Sequence, residues 1–312
     1  MSTIPETQLH EQIKKNLEKS GYRFVGKYRH SAAKICEWTK KSLRGEGVCY
    51  KQKWYGIESH RCLQCTLSLF CMTRCIYCWR SFKAFIGEGV ENPVDEPKDI
   101  LNGLIEAQRS LLSGFGGNKM VDKKKFKEAQ NPTNFAISLV GESIVYPKIS
   151  DFIKEVHRIG GSTFLVTKGT SPDKLEKLEE EPTNLYISLC APDKETFMKV
   201  DRPVVKDAWE RQMKSLEIMN SFKNRKVIRI TLVKGWNMKD PEKYAKLIEK
   251  ANPDFIEPKA YMHLGESQSR LPRNAMPTMD DIREFAKKLS DASGYKYKDE
   301  FEPSRVVLLS KK

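Results

Sequence analysis

The sequence predicts an α/β fold with parallel strands. Two observations carry this. Six short apolar runs, rich in β-branched and aromatic residues, alternate with segments of helical period between residues 66 and 261. Hydrophobic residues make up 39% of the 312 residues, enough to form the sizeable core that such layers need. The length suits one large domain with extensions, or two small ones.

The elements follow in order. Leu9, Ile13 and Leu17 recur every four residues before Gly21, which predicts a short amphipathic helix. Residues 23–62 read as irregular and hold Cys36, Cys49 and Cys62. Strands are predicted at 66–70 ("TLSLF"), 135–140 ("FAISLV"), 162–167 ("STFLVT"), 184–189 ("NLYISL"), 226–233 ("KVIRITLV") and 255–261 ("FIEPKAY"). Helices are predicted near 97–112, 147–159, 172–180, 205–221 and 241–250, between those strands. A basic, Gly-rich insertion (114–131) interrupts the first βα unit. After Tyr261 the chain reads as irregular, then as one helix near 279–290, and closes on an apolar "RVVLL". Six strands fit an open, partial barrel as well as a doubly wound sheet. In both, reactive residues belong at the C-terminal ends of the strands.

The first residues contain no apolar run of signal-peptide length, and no stretch approaches the ~18 apolar residues of a membrane span. A cytoplasmic chain with no membrane partner is expected. The net charge of +14 suits a polyanion partner through counterion release, although a Lys-rich proteome produces basic surfaces as well.

Seven of the eight cysteines lie between Cys36 and Cys78. Without a secretory signal, such clustering points to metal or redox chemistry rather than to disulfides. Cys71, Cys75 and Cys78 form C-x-x-x-C-x-x-C after the first predicted strand. Three thiolates are one short of the usual set for a cubane iron–sulfur cluster, so one iron would stay open to substrate. The rival is zinc, since Cys62/Cys65 and Cys75/Cys78 each form C-x-x-C. Zinc leaves Cys71, Cys36 and Cys49 without a role.

The C-x-x-x-C-x-x-C motif, with Tyr77 just before Cys78 and a run of βα units after it, resembles the radical S-adenosylmethionine (radical SAM) superfamily. Further segments narrow the likeness. "EGVCYKQKWYGIESHRCLQC" (46–65), "GESIVYP" (141–147), "LVTKGTSPD" (165–173), "LYISLCAPDKETF" (185–197), "RPVVKDAWERQ" (202–212), "ITLVKGWNM" (230–238), "KAYMHLG" (259–265) and "NAMPTMDDI" (274–282) resemble the archaeal-type tRNA 4-demethylwyosine synthases of the wybutosine pathway. The resemblance covers about residues 25–285.

That resemblance implies a partial (β/α)6 TIM-like radical SAM barrel. It implies an N-terminal extension (1–62) holding a second cluster and a substrate lysine, a core (63–262), and a C-terminal extension (263–312) that could contact tRNA. It implies two [4Fe-4S] clusters, one on Cys71, Cys75 and Cys78 and one on Cys36, Cys49 and Cys62. Cys62 is preferred to Cys65 because "RCLQ" fits the family segment and an apolar residue is usual at the later position. Lys51 is implied to hold the co-substrate pyruvate as a Schiff base, with Lys53 as a cationic neighbour that disfavours protonation. Gly141, Glu142, Thr167 and Ser188 are implied to meet S-adenosyl-L-methionine. Lys168 and Cys190 stand where the family leads one to expect Asn and Asp. The implied activity is that of a carbon–carbon lyase (EC 4.1.3.-). It joins N1-methylguanine at position 37 of tRNA(Phe) to pyruvate by radical chemistry, giving the tricyclic 4-demethylwyosine. An external flavodoxin- or ferredoxin-type electron donor and a monomeric state are expected. Lys123, Lys124, Lys125, Arg270 and Arg273 are candidates for the tRNA face, with Trp79 and Tyr261 as stacking partners. The alternatives are a radical SAM enzyme of another substrate, or a non-enzymatic zinc-binding, RNA-binding protein.

Overall fold

A computed structural model describes residues 6–89 and 92–311. The chain divides into two compact units. The first comprises residues 1–70, 83–85 and 89–165, and the second residues 71–82, 86–88 and 166–312.

The first unit contains, in order, α1 (Glu6–Lys19), β1 (Arg23–Val25), β2 (Ser31–Lys34), α2 (Glu37–Leu43), α3 (Tyr50–Tyr55), β3 (Cys62–Thr66), α4 (Pro97–Leu112), α5 (Lys123–Ala129), β4 (Asn134–Ile137), α6 (Ile149–Arg158) and most of β5 (Ser162–Thr167). β3, β4 and β5 run parallel, with Cys62 opposite Asn134 and Asn134 opposite Ser162. β1 and β2 add an antiparallel edge on β3. Leu63, Phe135, Ile137, Phe164 and Leu165 are buried from the strands; Ile100, Leu104, Phe152, Ile153 and Val156 are buried from α4 and α6. β4 is buried along its whole length, as expected of a parallel sheet covered on both faces.

The first predicted strand lies four residues too late. β3 spans Cys62–Thr66 and pairs parallel from Cys62 to Cys65, and residues 67–70 lie outside it although Leu67 and Leu69 are buried. Side chains take over the backbone groups there. Leu67 N–H donates to Ser143 Oγ at 3.1 Å, and the Leu67 carbonyl meets His30 Nδ1 at 2.9 Å. Apolar alternation therefore marked burial, not pairing. The region read as irregular holds β1, β2, α2 and α3, and the basic insertion contains α5.

The second unit contains α7 (Pro172–Glu176), β6 (Asn184–Ser188), α8 (Lys194–Val200), α9 (Ala208–Asn220), β7 (Arg225–Leu232), α10 (Pro241–Ala251), β8 (Phe255–Ala260), α11 (Met279–Ser293), β9 (Lys296–Phe301) and β10 (Val306–Ser310). β6, β7 and β8 are parallel; β10 pairs antiparallel with both β8 and β9. The apolar tail is thus a fully buried strand. Pro241 at the start of α10 and the Thr278–Asp281 capping box of α11 set clear helix starts.

Candidate active site

The second unit carries the loop with Cys71, Cys75 and Cys78. Its backbone is held on both sides. Arg74 N–H donates to the Asp201 carbonyl (3.0 Å), Ile76 N–H to the Val200 carbonyl (2.9 Å), and Gly87 N–H to the Cys71 carbonyl (3.1 Å). Cys78 N–H closes a turn onto the Cys75 carbonyl at 2.9 Å. Thr73 Oγ1 lies 3.3 Å from Cys71 Sγ and 3.4 Å from Cys75 Sγ, so two of the thiols share one hydroxyl. The Arg80 guanidinium donates to the Thr73 carbonyl at 2.8 Å. Burial works against its charge, but the thiolates of Cys71, Cys78 and Cys75 outweigh burial and hold its pKa above the ordinary arginine value. Burial pushes up the Cys75 thiol, and Asp201 adds to that. Burial also raises Cys78, against the pull of Arg80. Cys71 and Cys75 share the Thr73 hydroxyl, Cys78 acts electrostatically on Cys75, and a buried cation lies behind them. This donor set fits an iron–sulfur cluster with anionic ligands.

Arg270 has a different place from the one expected. Its guanidinium donates to the Ile76 carbonyl at 3.2 Å and to the Cys78 carbonyl, and it lies 4.2 Å from the Phe82 ring. It pins the cysteine loop. Tyr261 is 1% exposed, packed with Ile76, Val200 and Leu271, and donates to Ser267 Oγ at 3.0 Å. A base cannot stack on it. Trp79 is 37% exposed and Arg273 is exposed, so both keep solvent access.

The first unit assembles the upstream cysteines. Cys36 stands at the N-cap of α2, Cys49 at the N-cap of α3, and Cys62 opens β3. Thr39 Oγ1 reaches the carbonyls of Ser59 (3.0 Å) and Cys62 (3.3 Å), and Cys49 N–H donates to Ser59 Oγ (2.9 Å). These bonds tie the three segments together. Burial raises the Cys36 thiol against the pull of the Trp38 and Thr39 N–H groups and of Lys51. Burial also raises Cys62; Cys36 and Cys49 add to the rise and Lys51 opposes it. Cys36, Cys49, Cys62 and Lys51 therefore share one electrostatic neighbourhood. Cys65 is three residues beyond Cys62 on the same strand, which turns it to the opposite face. It is fully buried, and burial alone accounts for its raised pKa. The C-x-x-C of Cys62 and Cys65 thus cannot clamp one zinc ion from this strand.

Lys51 is buried and its Nζ lies 4.2 Å from the centroid of Phe164 on β5. Lys53 is exposed, because residues two apart on a helix point away from each other. Burial against Phe164 is what distinguishes Lys51 from its exposed neighbour Lys53. Phe164 gave no sign of this in the sequence, where it reads as one more strand residue.

Gly141 does not end its strand. β4 stops at Ile137, and Gly141 follows in a turn with φ +72°. A Cβ there would lie 2.2 Å from the Ser68 carbonyl oxygen. Glu142 is buried, and its N–H donates to the Phe70 carbonyl at 2.7 Å. Replacing Gly141 by alanine should destabilise the first unit by at least about 1–3 kcal/mol, from the left-handed backbone alone; a urea melt with an unchanged midpoint would contradict this. Thr167 ends β5 as expected, and its Oγ1 accepts from Gly169 N–H at 2.9 Å. Ser188 ends β6. Gln212 Nε2 donates to the carbonyls of Lys168 (2.8 Å) and Ser188 (3.2 Å), joining the ends of the two strands.

The Radical SAM superfamily profile matches residues 66–248, and one described as wyosine base formation matches residues 250–311. The S-adenosyl-L-methionine-dependent tRNA 4-demethylwyosine synthase of Pyrococcus horikoshii is 51% identical over 304 residues, covering 96% of this chain and 88% of its own. The chain belongs to the tRNA 4-demethylwyosine synthase family. A solved structure of TYW1 with a lysine-pyruvate adduct bound is 39% identical and superimposes with a TM-score of 0.87, covering 99% of this chain and 97% of that one. The crystal structure of archaeal TYW1 gives a TM-score of 0.79 at 37% identity over the same shares of the two chains. The fold is the α/β radical SAM domain expected from the cysteine motif and the βα alternation, and the family's members are radical SAM tRNA-modifying enzymes. Among the described residues no helix is long and apolar enough to cross a membrane.

Proposed function

We propose that this chain condenses N1-methylguanine at position 37 of tRNA(Phe) with pyruvate to form 4-demethylwyosine, as an S-adenosyl-L-methionine-dependent carbon–carbon lyase. The observation that carries this reading is Lys51: a buried amine against Phe164, in the electrostatic neighbourhood of Cys36 and Cys62. The related TYW1 structure with a lysine-pyruvate adduct supports it.

In this reading residues 1–62 hold Cys36, Cys49 and Cys62 as ligands of a second [4Fe-4S] cluster. Residues 63–262 form the core, with Cys71, Cys75 and Cys78 as ligands of the first. Residues 263–312 form the extension. The first cluster, when bound, supplies the electron that cleaves S-adenosyl-L-methionine to a 5′-deoxyadenosyl radical. The chain's own residues do the rest. The Glu142 carboxylate pairs with the ammonium of the methionine moiety, and the hydroxyls of Thr167 and Ser188 bond its polar groups. Lys51 Nζ attacks the pyruvate ketone and expels water, which fixes the three-carbon unit as an imine. Electrons come from an external flavodoxin- or ferredoxin-type donor, and the protein works as a cytoplasmic monomer. Borohydride with pyruvate tests the central residue: one reduced adduct should appear on the peptide carrying Lys51, and an adduct confined to another peptide would reassign the amine.

For tRNA, α5 offers Lys123, Lys124 and Lys125, but two are engaged. Lys123 Nζ donates to the Gly116 carbonyl at 2.8 Å and Lys125 Nζ to the Ser42 carbonyl at 3.3 Å. Lys124 is exposed and is the better phosphate contact. Lys124→Gln should lower the slope of log K against log salt by about one and leave cluster content unchanged. An unchanged slope in filter binding would move the tRNA face toward Arg273 and Trp79.

A further inference from the structure

Lys168 follows the last residue of β5 and is buried. Its Nζ lies 2.7 Å from Asp201 Oδ1 and 3.4 Å from Tyr77 Oη. Tyr77 Oη donates to the same Asp201 oxygen at 3.0 Å. Asp201 is 0% exposed, and its Oδ2 has no hydrogen-bond partner among the described residues. A buried carboxylate this poorly solvated depends on the cation facing it. An ion pair so placed adds little to stability, because desolvating both charges costs about as much as their attraction returns. Its location suggests what it is for.

Tyr77 sits between Cys75 and Cys78, and the backbone on either side of Asp201 is laced to the same loop. Arg74 and Ile76 donate to the carbonyls of Asp201 and Val200, Val204 donates to the Met72 carbonyl, and Thr73 bridges to Pro203. Asp201 thus anchors the cysteine loop by main chain and side chain together. Both Asp201 and Lys168 act electrostatically on Cys75, with opposite sign. A carboxylate left uncompensated there would repel an anionic, thiolate-bound cluster and oppose its reduction.

We propose that Lys168 is a positioning residue for the cluster loop: it cancels the charge of Asp201, so that the carboxylate can clasp Tyr77 without adding net negative charge beside Cys75. This rests on the reading that Cys71, Cys75 and Cys78 hold a cluster, and the test separates the two ideas. The protein with Cys36, Cys49 and Cys62 changed to alanine is reconstituted anaerobically with iron and sulfide. About four irons per chain are expected in this parent, and a parent without iron would overturn the cluster reading itself. Lys168→Met in the parent should release iron to a chelator roughly ten- to a hundredfold faster. It should also shift the cluster's midpoint potential, followed by electron paramagnetic resonance, to a more negative value. The double change Lys168→Met with Asp201→Asn should return both readouts toward the parent, since no charge is left unpaired and the Asn oxygen still accepts from Tyr77. A single variant that matches the parent in both readouts would overturn the proposal. So would a double variant as impaired as the single one, because packing rather than charge would then be at work.

Discussion

Replacing Lys51 by alanine should abolish the tricyclic product while S-adenosyl-L-methionine is still cleaved to 5′-deoxyadenosine. In the proposed reading cleavage needs the loop of Cys71, Cys75 and Cys78, whereas Lys51 belongs to the other unit and to the neighbourhood of the upstream cysteines. Without the lysine, pyruvate has no covalent hold. Tethering of this kind corresponds to effective molarities of ~10⁵ M or more, so the loss should be at least about a thousandfold at ordinary pyruvate concentrations. Nucleoside mass spectrometry and quantified 5′-deoxyadenosine separate the two outcomes. Product at wild-type rate from the alanine variant would remove Lys51 from the mechanism.

The second large effect concerns iron. The anaerobic protein should carry about eight irons per chain, and the variant with Cys71, Cys75 and Cys78 changed to alanine about four. That variant should lose S-adenosyl-L-methionine cleavage entirely, since the cluster proposed to bind and reduce it is lost with that loop. The structural ground is the separation of the cysteines into two groups, one gathered around Thr73 and Arg80, the other around Thr39 and Ser59. Full iron retention in the triple variant, or stoichiometric zinc in the wild type, would break the two-cluster reading.

What was legible in the sequence tracks how local each signal is. The C-x-x-x-C-x-x-C loop is a short-range pattern and could be read directly. The βα alternation from β4 to β8 was legible because each strand is short, apolar and separated by helical period. α2 and α3 span 7 and 6 residues, too few to show a period, so the region of Cys36 and Cys49 read as irregular. Their clustering with the other cysteines was visible, but a role for them came only through resemblance to a family. β3 was displaced because residues 67–69 are buried without joining the ladder, the Leu67 backbone being satisfied by His30 and Ser143. The edges β1, β2 and β9 are carried by antiparallel pairing rather than by an apolar run. Contacts distant in sequence were invisible: Tyr77 meets Asp201 across 124 positions, and Arg270 reaches the Ile76 carbonyl across 194. That distance is why Arg270 was named only for the tRNA face and its bonds to the cysteine loop went unseen. Tyr261 misled in the same way, because an aromatic side chain at a strand end looks alike in sequence whether buried or exposed.

The most direct measurement is product formation by the reconstituted wild-type protein. Anaerobic enzyme, S-adenosyl-L-methionine, a reductant, tRNA(Phe) carrying N1-methylguanosine and carbon-13-labelled pyruvate are combined, and the tRNA is digested for mass spectrometry. The expected result is 4-demethylwyosine that carries the pyruvate label and is absent when pyruvate is omitted. Cleavage of S-adenosyl-L-methionine with no tricyclic nucleoside, or a tricyclic nucleoside formed without pyruvate, would contradict it.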